Sequence, residues 1–436
     1  MEYEPTDNHI GEIMVSDDQQ YQEYFEGANI HYSDEFIELE TGPVIRVVPL
    51  LFIIMVMNLG WMIFVGTEKI HSMSIPAIII YVPYLATWAF LVPSAMFNKN
   101  IIGGISFNRF CAIWFFVSTI ISLTVHPLIS NGFMRVMGFA ILGSIGYILL
   151  PSAYNWATII RVLRFVMITG AIISLTACIP NRYGGGIFHN PNTMGFTALL
   201  GLVALGGNFP KSKTGAILYV SIILYFGLML VISRSRTSGL SAAVCALVLF
   251  WKYRKQAKMW LIGILTVVLM LSISASISYE GLTLYDRIVH KTRYQSGHLD
   301  VTSGRAEIWR EIDQITQNRG ITGAGIGSLV SYYDANPHSA YAAIKIELGN
   351  FGFVSFLSLI ISAMLQTIKI RKCCDTQLIS VVDNGLLLIV AVVVFNLFEN
   401  GLGSILGQSA FVFWICSGAL ANAAAEARRY GYVELR

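Results

Sequence analysis

Residues 214–251 read TGAILYVSIILYFGLMLVISRSRTSGLSAAVCALVLFW. Two apolar runs, 214–232 and 237–251, flank a short polar segment that contains Arg234 and Arg236. Because roughly 20 apolar residues in a helix cross a bilayer, the pattern predicts two membrane-spanning helices joined by a polar turn. Charged side chains beside hydrocarbon cost free energy, so two arginines in such a turn need a partner.

The composition extends this prediction to the whole chain. Of its 436 residues, 55% are hydrophobic and 13% are charged, whereas a soluble domain carries about 25% charged residues. The mean hydropathy is +0.62. We therefore predict an all-α polytopic membrane protein of about twelve transmembrane helices with one larger periplasmic helical loop. The predicted spans are 44–66, 75–97, 107–125, 133–150, 156–178, 193–208, 214–232, 237–251, 259–278, 338–368, 379–398 and 403–424.

The positions of Lys and Arg predict the orientation, because basic loops are retained in the cytoplasm. Basic breaks such as WKYRKQAK (251–258) and KIRK (369–372) alternate with breaks that are poor in basic residues. Both termini are thus predicted inside. The domain organisation that follows is an acidic, disordered cytosolic tail (1–43), transmembrane helices 1–9 (44–278), a periplasmic loop with an amphipathic helix (279–337), transmembrane helices 10–12 (338–424) and a second cytosolic tail (425–436).

The N-terminal tail is rich in Asp and Glu and has no Lys or Arg before Arg46. Such a segment is typical of disordered chain. It is either a solvated tail or a docking site for a cytosolic regulator, and the sequence leaves both open. No cleavable leader is expected at this end. The net charge of +3 is small and indicates no nucleic-acid partner.

The periplasmic loop contains TSGRAEIWREIDQITQN, residues 302–318, in which apolar side chains recur at helical spacing. We predict an amphipathic helix that lies on the membrane surface. Arg305 falls in its first turn, where free N–H groups already favour an anion. The GAGIGS stretch that follows, 323–328, lacks the dinucleotide-binding pattern and is interpreted as a flexible turn.

The loop closes with NPHSAYAAIKIELGNFG, residues 336–352. His338 lies at the mouth of the tenth predicted span, with Lys345 and Glu347 deeper in it. Ionisable groups inside a span are often functional because their burial is expensive. The alternative is that Lys345 and Glu347 simply pair with each other.

A second outer segment, IPNRYGGGIFHNPNTMG (179–195), combines turn residues with polar side chains. Its candidate ligand groups are Arg182, His189 and Asn192, together with Asn190. A structural loop and a substrate lining are both consistent with this pattern.

Five basic side chains are thus predicted at one membrane face, where lipid head groups lie: Arg182, Arg234, Arg236, Arg305 and His338. Arginine binds phosphate through two parallel hydrogen bonds and stays charged when partly desolvated. A lipid diphosphate would supply the missing partner.

The ordered motifs FHNPNTMG, SRSRTSGL, SGRAEIW, GAGIGS and PHSAYAAIKIELGNFG resemble the O-antigen ligase and O-antigen polymerase superfamily of bacterial envelope glycosyltransferases. The resemblance covers residues 180–355. It implies that Arg236, Arg305 and His338 are the catalytic residues. Arg234 is an additional arginine in the same motif, so which of the two is essential stays open.

The resemblance further implies a metal-independent, inverting glycosyl transfer from a polyprenyl-diphosphate-linked donor, with no cofactor. We expect a polymerase of exopolysaccharide, capsule or O-antigen repeat units on undecaprenyl diphosphate. The alternatives are a ligase that transfers glycan to lipid A core, as in lipopolysaccharide biosynthesis, and a secondary transporter or flippase. The candidate substrate-binding residues are Arg234, Arg182, His189, Asn192, Lys345 and Glu347.

The expected partners are the lipid-linked glycan donor, a glycan acceptor and membrane lipids, and a flippase and a chain-length regulator are further candidates. The expected location is the bacterial inner (plasma) membrane, with multiple passes, both termini cytoplasmic and the active site periplasmic. Sugar identity, linkage, acceptor and oligomeric state do not follow from the sequence.

Overall fold

The structure is a computed structural model of the 436-residue chain. The chain divides into two compact units, Met1–Pro49 and Leu50–Arg436, and all contacts discussed below lie within the second. The residues that the structure describes are 47–67, 78–97, 106–126, 130–177, 191–206, 210, 212–233, 235–253, 278–279, 282–283, 309–310, 314, 320–329, 337–374, 376–402 and 407–429.

Long helices dominate this part of the chain. A π-helical segment, Ile145–Leu149, and a last turn, Leu150–Ala153, continue the fourth helix and are counted with it. The helices are α1 Val47–Thr67, α2 Ile78–Phe97, α3 Phe107–Val125, α4 Ser130–Ser144 with its continuation, α5 Trp156–Thr176, α6 Pro191–Leu205, α7 Lys213–Ser233, α8 Arg236–Tyr253, α9 Ala340–Arg371, α10 Thr376–Phe395 and α11 Gln408–Arg429. Between α8 and α9 lies a short antiparallel hairpin of two strands with two residues each, β1 Ser278–Tyr279 and β2 Leu282–Thr283.

The all-α polytopic class is confirmed. Within the described residues, seven helices are long and apolar enough to cross a membrane, and four shorter apolar helices accompany them. Eleven of the predicted spans coincide with a helix. The ninth, 259–278, lies outside the described residues except for Ser278, which is in β1. A total of twelve spans therefore stays a prediction.

The helices α10 and α11 form the centre of the described core. Their buried side chains pack against α5 and α9, and α11 also packs against α4. At Gly146 and Gly418 a Cβ atom on either residue would collide with the backbone of the other helix, so α4 and α11 approach closely there. Close contact through small residues is how membrane helices associate without a hydrophobic driving force.

The outer surfaces of several helices are apolar. Phe90 of α2 is 63% exposed and Ile217 of α7 is 70% exposed. Exposed apolar faces of this extent are typical of a surface that meets lipid or another protein. Together with the hydropathy they indicate that the bundle is solvated by a bilayer.

Candidate active site

Four segments meet where helices begin or end, and together they are called the junction. They are the start of α6 (191–195), the α7–α8 turn (233–238), the start of α9 with its approach (337–340) and the turn after α10 (396–402). Three of the four carry motifs predicted to be functional. The sequence motifs FHNPNTMG, SRSRTSGL and PHSAYAA are therefore brought to one end of the bundle.

Asn192 connects three of these segments. Its side-chain Nδ2 donates to Glu399 Oε1 at 2.5 Å, and its main-chain carbonyl accepts from Ser238 Oγ at 3.4 Å. The second turn of α6 adds Thr197, whose hydroxyl donates to Gln408 Oε1 at 3.2 Å. The start of α6 is thus fixed by side chains from the α7–α8 turn, the turn after α10 and α11.

The arginine-containing turn between α7 and α8 is held by its serines. Ser235 Oγ accepts from the backbone N–H of Ser238 at 3.2 Å, which caps the start of α8. A Cβ atom on Gly195 would lie 2.6 Å from Ser233 Oγ, so α6 packs directly on this turn. Arg236 is the first residue of α8 and is half-buried. It therefore lies at a helix N-terminus, where backbone dipoles favour an anion.

His338 has an unusual backbone. Its φ is +46°, and it is the single non-glycine residue with a positive φ among the described residues. This conformation costs an L-residue about 1–2 kcal/mol, and such strain concentrates at functional sites. His338 immediately precedes Ser339, which caps α9 by accepting from the N–H of Ala342 at 3.3 Å.

The contacts around His338 fix it from both sides. Trp309 Nε1 donates to the carbonyl of Pro337 at 2.8 Å. The N–H of Ala340 lies 3.1 Å from the carbonyl of Asn396 and 3.0 Å from that of Glu399. The predicted amphipathic helix is thereby connected to the approach to α9, and α9 is connected to the turn after α10.

Four of the predicted site residues lie outside the described residues: Arg182, His189, Arg234 and Arg305. Asn190 does as well. Of the predicted amphipathic helix, Trp309, Arg310 and Gln314 are described, and all three are helical. The structure thus places Arg236, His338 and Asn192 at the junction and leaves the positions of the other basic residues as predictions.

The helix α9 is interrupted at Gly349, whose φ and ψ are +66° and −167°. The interruption separates Ala340–Leu348 from the rest of the helix. It frees backbone groups on both sides, which in a lipid environment must find other partners. The segment 320–329, which contains GAGIGS, supplies them.

This segment pairs with the interruption through its backbone. The N–H groups of Ala324 and Gly325 donate to the carbonyls of Ile346 and Glu347 at 2.7 and 3.0 Å. In the other direction, the N–H of Asn350 donates to the carbonyl of Gly320 at 2.8 Å. GAGIGS is a turn, as predicted, but a buried one that completes a broken helix.

Glu347 lies next to the interruption and is 3% exposed. Its two carboxylate oxygens lie 2.7 and 2.6 Å from Arg135 Nη1 of α4. The N–H groups of Gly327 and Leu329 also bond to this carboxylate. Glu347 therefore holds α4, α9 and the GAGIGS turn together.

Lys345 lies two residues away on an exposed position of α9. Positions i and i+2 do not face each other on a helix. The structure thus favours Arg135 over Lys345 as the partner of Glu347. Neither residue lies at the junction itself.

The sequence analysis did not predict two residues that form important contacts, Arg135 beside Glu347 and Glu399 at the junction. Arg135 is an arginine inside the fourth predicted span, and its position there could have flagged it by the same argument used for Glu347. Glu399 follows α10 in the sequence FEN and carries no motif. The importance of Glu399 is visible only in the three-dimensional structure, where Asn192 and Ala340 both donate hydrogen bonds to it.

The side chains at the junction can form hydrogen bonds, and its cationic group can bind an anion. It offers a helix N-terminus with Arg236, the imidazole of His338, and the amide and carboxylate groups of Asn192 and Glu399. Amide and carboxylate side chains suit sugar hydroxyls as partners. Within the described residues, no group of three His, Cys, Asp or Glu side chains is arranged to hold a metal ion.

Fold and junction together define a polytopic membrane protein whose polar groups converge where several helices end. Residues 220–357 match the family model described as O-Antigen ligase. The resemblance to the O-antigen ligase and polymerase superfamily is thereby confirmed, and the match supports a multi-pass membrane enzyme of this type. No curated protein matches the chain.

The matched residues cover part of the structural features described above. They run from within α7, through the α7–α8 turn with Arg236, past the interruption of α9 at Gly349. Asn192 and Glu399 lie outside the match on either side. The junction therefore combines residues from the matched segment with residues from the rest of the chain.

Proposed function

We propose that the protein is a polysaccharide polymerase. It transfers glycan repeat units from undecaprenyl diphosphate to a lipid-linked acceptor glycan on the outer face of the inner membrane. The observation that carries the proposal is the meeting of Arg236 and His338 with a set of hydrogen-bonding side chains at one end of the bundle. The match to a family of lipid-linked glycan enzymes supports the same substrate class.

In the proposed reaction, an acceptor hydroxyl attacks the anomeric carbon from the face opposite the diphosphate. The C–O bond to the diphosphate breaks as the new glycosidic bond forms, which inverts the configuration. His338 takes the proton of the attacking hydroxyl. Arg236 and Arg305 stabilise the negative charge that develops on the departing diphosphate, which is the task a metal ion has in other transferases.

A ligase that transfers glycan to lipid A core is the second candidate, because the matching family model is described as O-Antigen ligase. The donor and the predicted catalytic residues are the same for both. The acceptor differs: a lipid-linked glycan for the polymerase, a core oligosaccharide for the ligase.

Transport is less well supported. A discontinuous helix such as α9 can coordinate ions in transporters through its unwound carbonyls. Here the carbonyls of Ile346 and Glu347 accept hydrogen bonds from the GAGIGS turn, and the Glu347 carboxylate is paired with Arg135. The interruption therefore has its polar groups satisfied by protein.

The test is complementation of a strain that lacks the protein, with the surface glycan separated on a gel. Wild type, Arg236→Ala and Arg305→Ala are expressed at matched membrane levels. Arg310→Ala is the control, since Arg310 is an exposed arginine on the same predicted helix as Arg305. A polymerase restores a ladder of chain lengths with wild type and Arg310→Ala, whereas the other two variants leave single repeat units.

Two other outcomes decide between the candidates. If wild type attaches chains that were already long on the carrier, the enzyme is a ligase. If Arg236→Ala and Arg305→Ala both restore the wild-type ladder, the proposed arginines are not part of the site.

A further inference from the structure

The turn after α10 binds two other segments of the junction through one residue. Glu399 accepts from Asn192 Nδ2 through its carboxylate at 2.5 Å and from the Ala340 N–H through its main-chain carbonyl at 3.0 Å. Its side chain therefore fixes the start of α6, while its backbone fixes the start of α9. Those two helix starts are separated by more than a hundred residues of sequence.

The turn after α10 is held by buried hydrogen bonds and close packing. Asn396 is fully buried, and its side chain donates to the carbonyl of Val392 at 2.7 Å and accepts from the N–H of Leu402 at 2.6 Å. Gly401 fits closely beside it, since a Cβ atom there would lie 2.7 Å from Ser409 Oγ. Glu399 is thus presented from a backbone that is held on both sides.

The residues that hydrogen-bond to Glu399 connect it to close sequence neighbours of the proposed catalytic residues. Asn192 also accepts from Ser238, which lies two residues after Arg236. Ala340 lies two residues after His338. The next side chain of the same turn, Asn400, has its Oδ1 atom buried without a hydrogen-bond partner within the described part of the chain.

We propose that Glu399 is a positioning residue of the glycosyl-transfer site. Its carboxylate sets the orientation of the Asn192 side chain, and its backbone sets the position of the first turn of α9, which follows His338. This inference rests on the proposed function. A carboxylate is suited to this because a charged acceptor makes a stronger hydrogen bond than a neutral one.

The experiment is a double-mutant cycle on transfer activity. Initial rates are measured in membranes with the lipid-linked glycan that accumulates in a deletion strain, with Glu399→Ala, Asn192→Ala, the double variant and Glu399→Gln. The matched control is Glu426→Ala. Glu426 accepts from Asn422 Nδ2 at 2.7 Å, which is the same kind of Asn–Glu bond near the far end of α11.

We expect Glu399→Ala to lower kcat about ten- to a hundredfold, as loss of a hydrogen bond to a charged group predicts, with the donor KM nearly unchanged. The double variant is expected to be no slower than the slower single variant. Glu399→Gln keeps an acceptor oxygen and is expected to retain more activity than Glu399→Ala. Glu426→Ala is expected to keep the wild-type kcat.

Two results would overturn the inference alone: a wild-type kcat for Glu399→Ala, or losses in the two single variants that simply multiply in the double variant. Wild-type protein run in parallel separates these results from failure of the proposed function. If wild type forms no glycosidic bond with the lipid-linked acceptor, the proposed function fails, and this inference fails with it.

Discussion

His338 occupies a left-handed backbone conformation that few L-residues adopt, with φ at +46°. Asn is among the residues that tolerate this region best. His338→Asn should therefore fold to the wild-type level while losing the imidazole. Because a general base contributes about a hundredfold or more to a rate, we expect transfer by His338→Asn to fall by at least that factor.

The measurement is the initial rate per amount of folded protein, with folded protein quantified by size-exclusion chromatography in detergent. A His338→Asn variant that transfers glycan within a few-fold of wild type would remove His338 as the base. Low activity together with aggregation would instead show that the imidazole is needed for folding, which contradicts the expectation stated here.

The buried pair of Arg135 and Glu347 gives a second prediction for single residues. Breaking a buried ion pair by neutralising one partner costs about 3–5 kcal/mol, because the other charge is left uncompensated. Glu347→Gln should accordingly lower the thermal unfolding midpoint in detergent. The double variant Arg135→Gln, Glu347→Gln should recover part of the loss.

Lys345→Gln is the control for this pair, since Lys345 lies on the same turn of α9 but is exposed. Its unfolding midpoint should stay at the wild-type value. If Glu347→Gln unfolds at the same temperature as Lys345→Gln, the Arg135–Glu347 pair does not stabilise the fold.

At the scale of the element, the interruption of α9 depends on two glycines. Gly349 has a φ of +66° and Gly323 a φ of +72°, and a Cβ atom on either would meet the backbone of the other. Gly349→Ala and Gly323→Ala should each lower stability, because they combine left-handed strain with a backbone collision. We expect a reduced yield of monodisperse protein and a lower unfolding midpoint.

Gly320→Ala, in the same segment, is the matched control. A Cβ atom at Gly320 would have its nearest neighbour, Asn350 Nδ2, at 3.9 Å. This variant should behave as wild type. Equal stability of Gly320→Ala and Gly349→Ala would show that the close contact between the two glycines is not needed.

The sequence predicts the helices well and their interruptions poorly. A continuous apolar run such as 338–368 indicates a span by hydropathy, and α9 is found there. Hydropathy carries no signal for the interruption at Gly349, because its hydrogen bonds are made by a distant segment, 320–329. Glu399 was not predicted for the same reason, since its partners Asn192 and Ala340 are distant in the sequence.

Motif order predicts that Asn192, Arg236 and His338 lie on one membrane face, and that placement stays a prediction. The structure brings the segments that carry them into contact through Ser238, Glu399 and Ala340. Which arginine of the α7–α8 turn would contact the proposed diphosphate donor depends on side-chain geometry that no linear pattern encodes.

At the scale of the whole molecule, the proposed topology has the junction in the periplasm and the α9–α10 connection in the cytoplasm. The connection contains Cys373 and Cys374, which are half-buried and form no disulfide. Leu397 lies in the turn after α10 and is 41% exposed. A membrane-impermeant maleimide added to intact cells should label Leu397→Cys, and the two native cysteines only after the inner membrane is permeabilised.

The labelling should be run in an alkaline buffer. Burial raises the pKa of the Cys373 thiol, and the nearby Lys372 opposes this only in part. The thiolate is the reactive form, so labelling of Cys373 in permeabilised cells should speed up as the pH rises. Labelling of Cys373 and Cys374 in intact cells at the rate of Leu397→Cys would contradict the proposed orientation.

The most direct test of the whole account is glycan transfer by the purified protein in lipid nanodiscs. The donor is the lipid-linked glycan extracted from the deletion strain, and the products are separated by length on a gel. We expect wild type alone to lengthen the lipid-linked glycan into a ladder and to release polyprenyl diphosphate, while His338→Asn and Arg236→Ala do neither. Wild-type protein that binds the donor but forms no new glycosidic bond with either a lipid-linked or a core acceptor would contradict it.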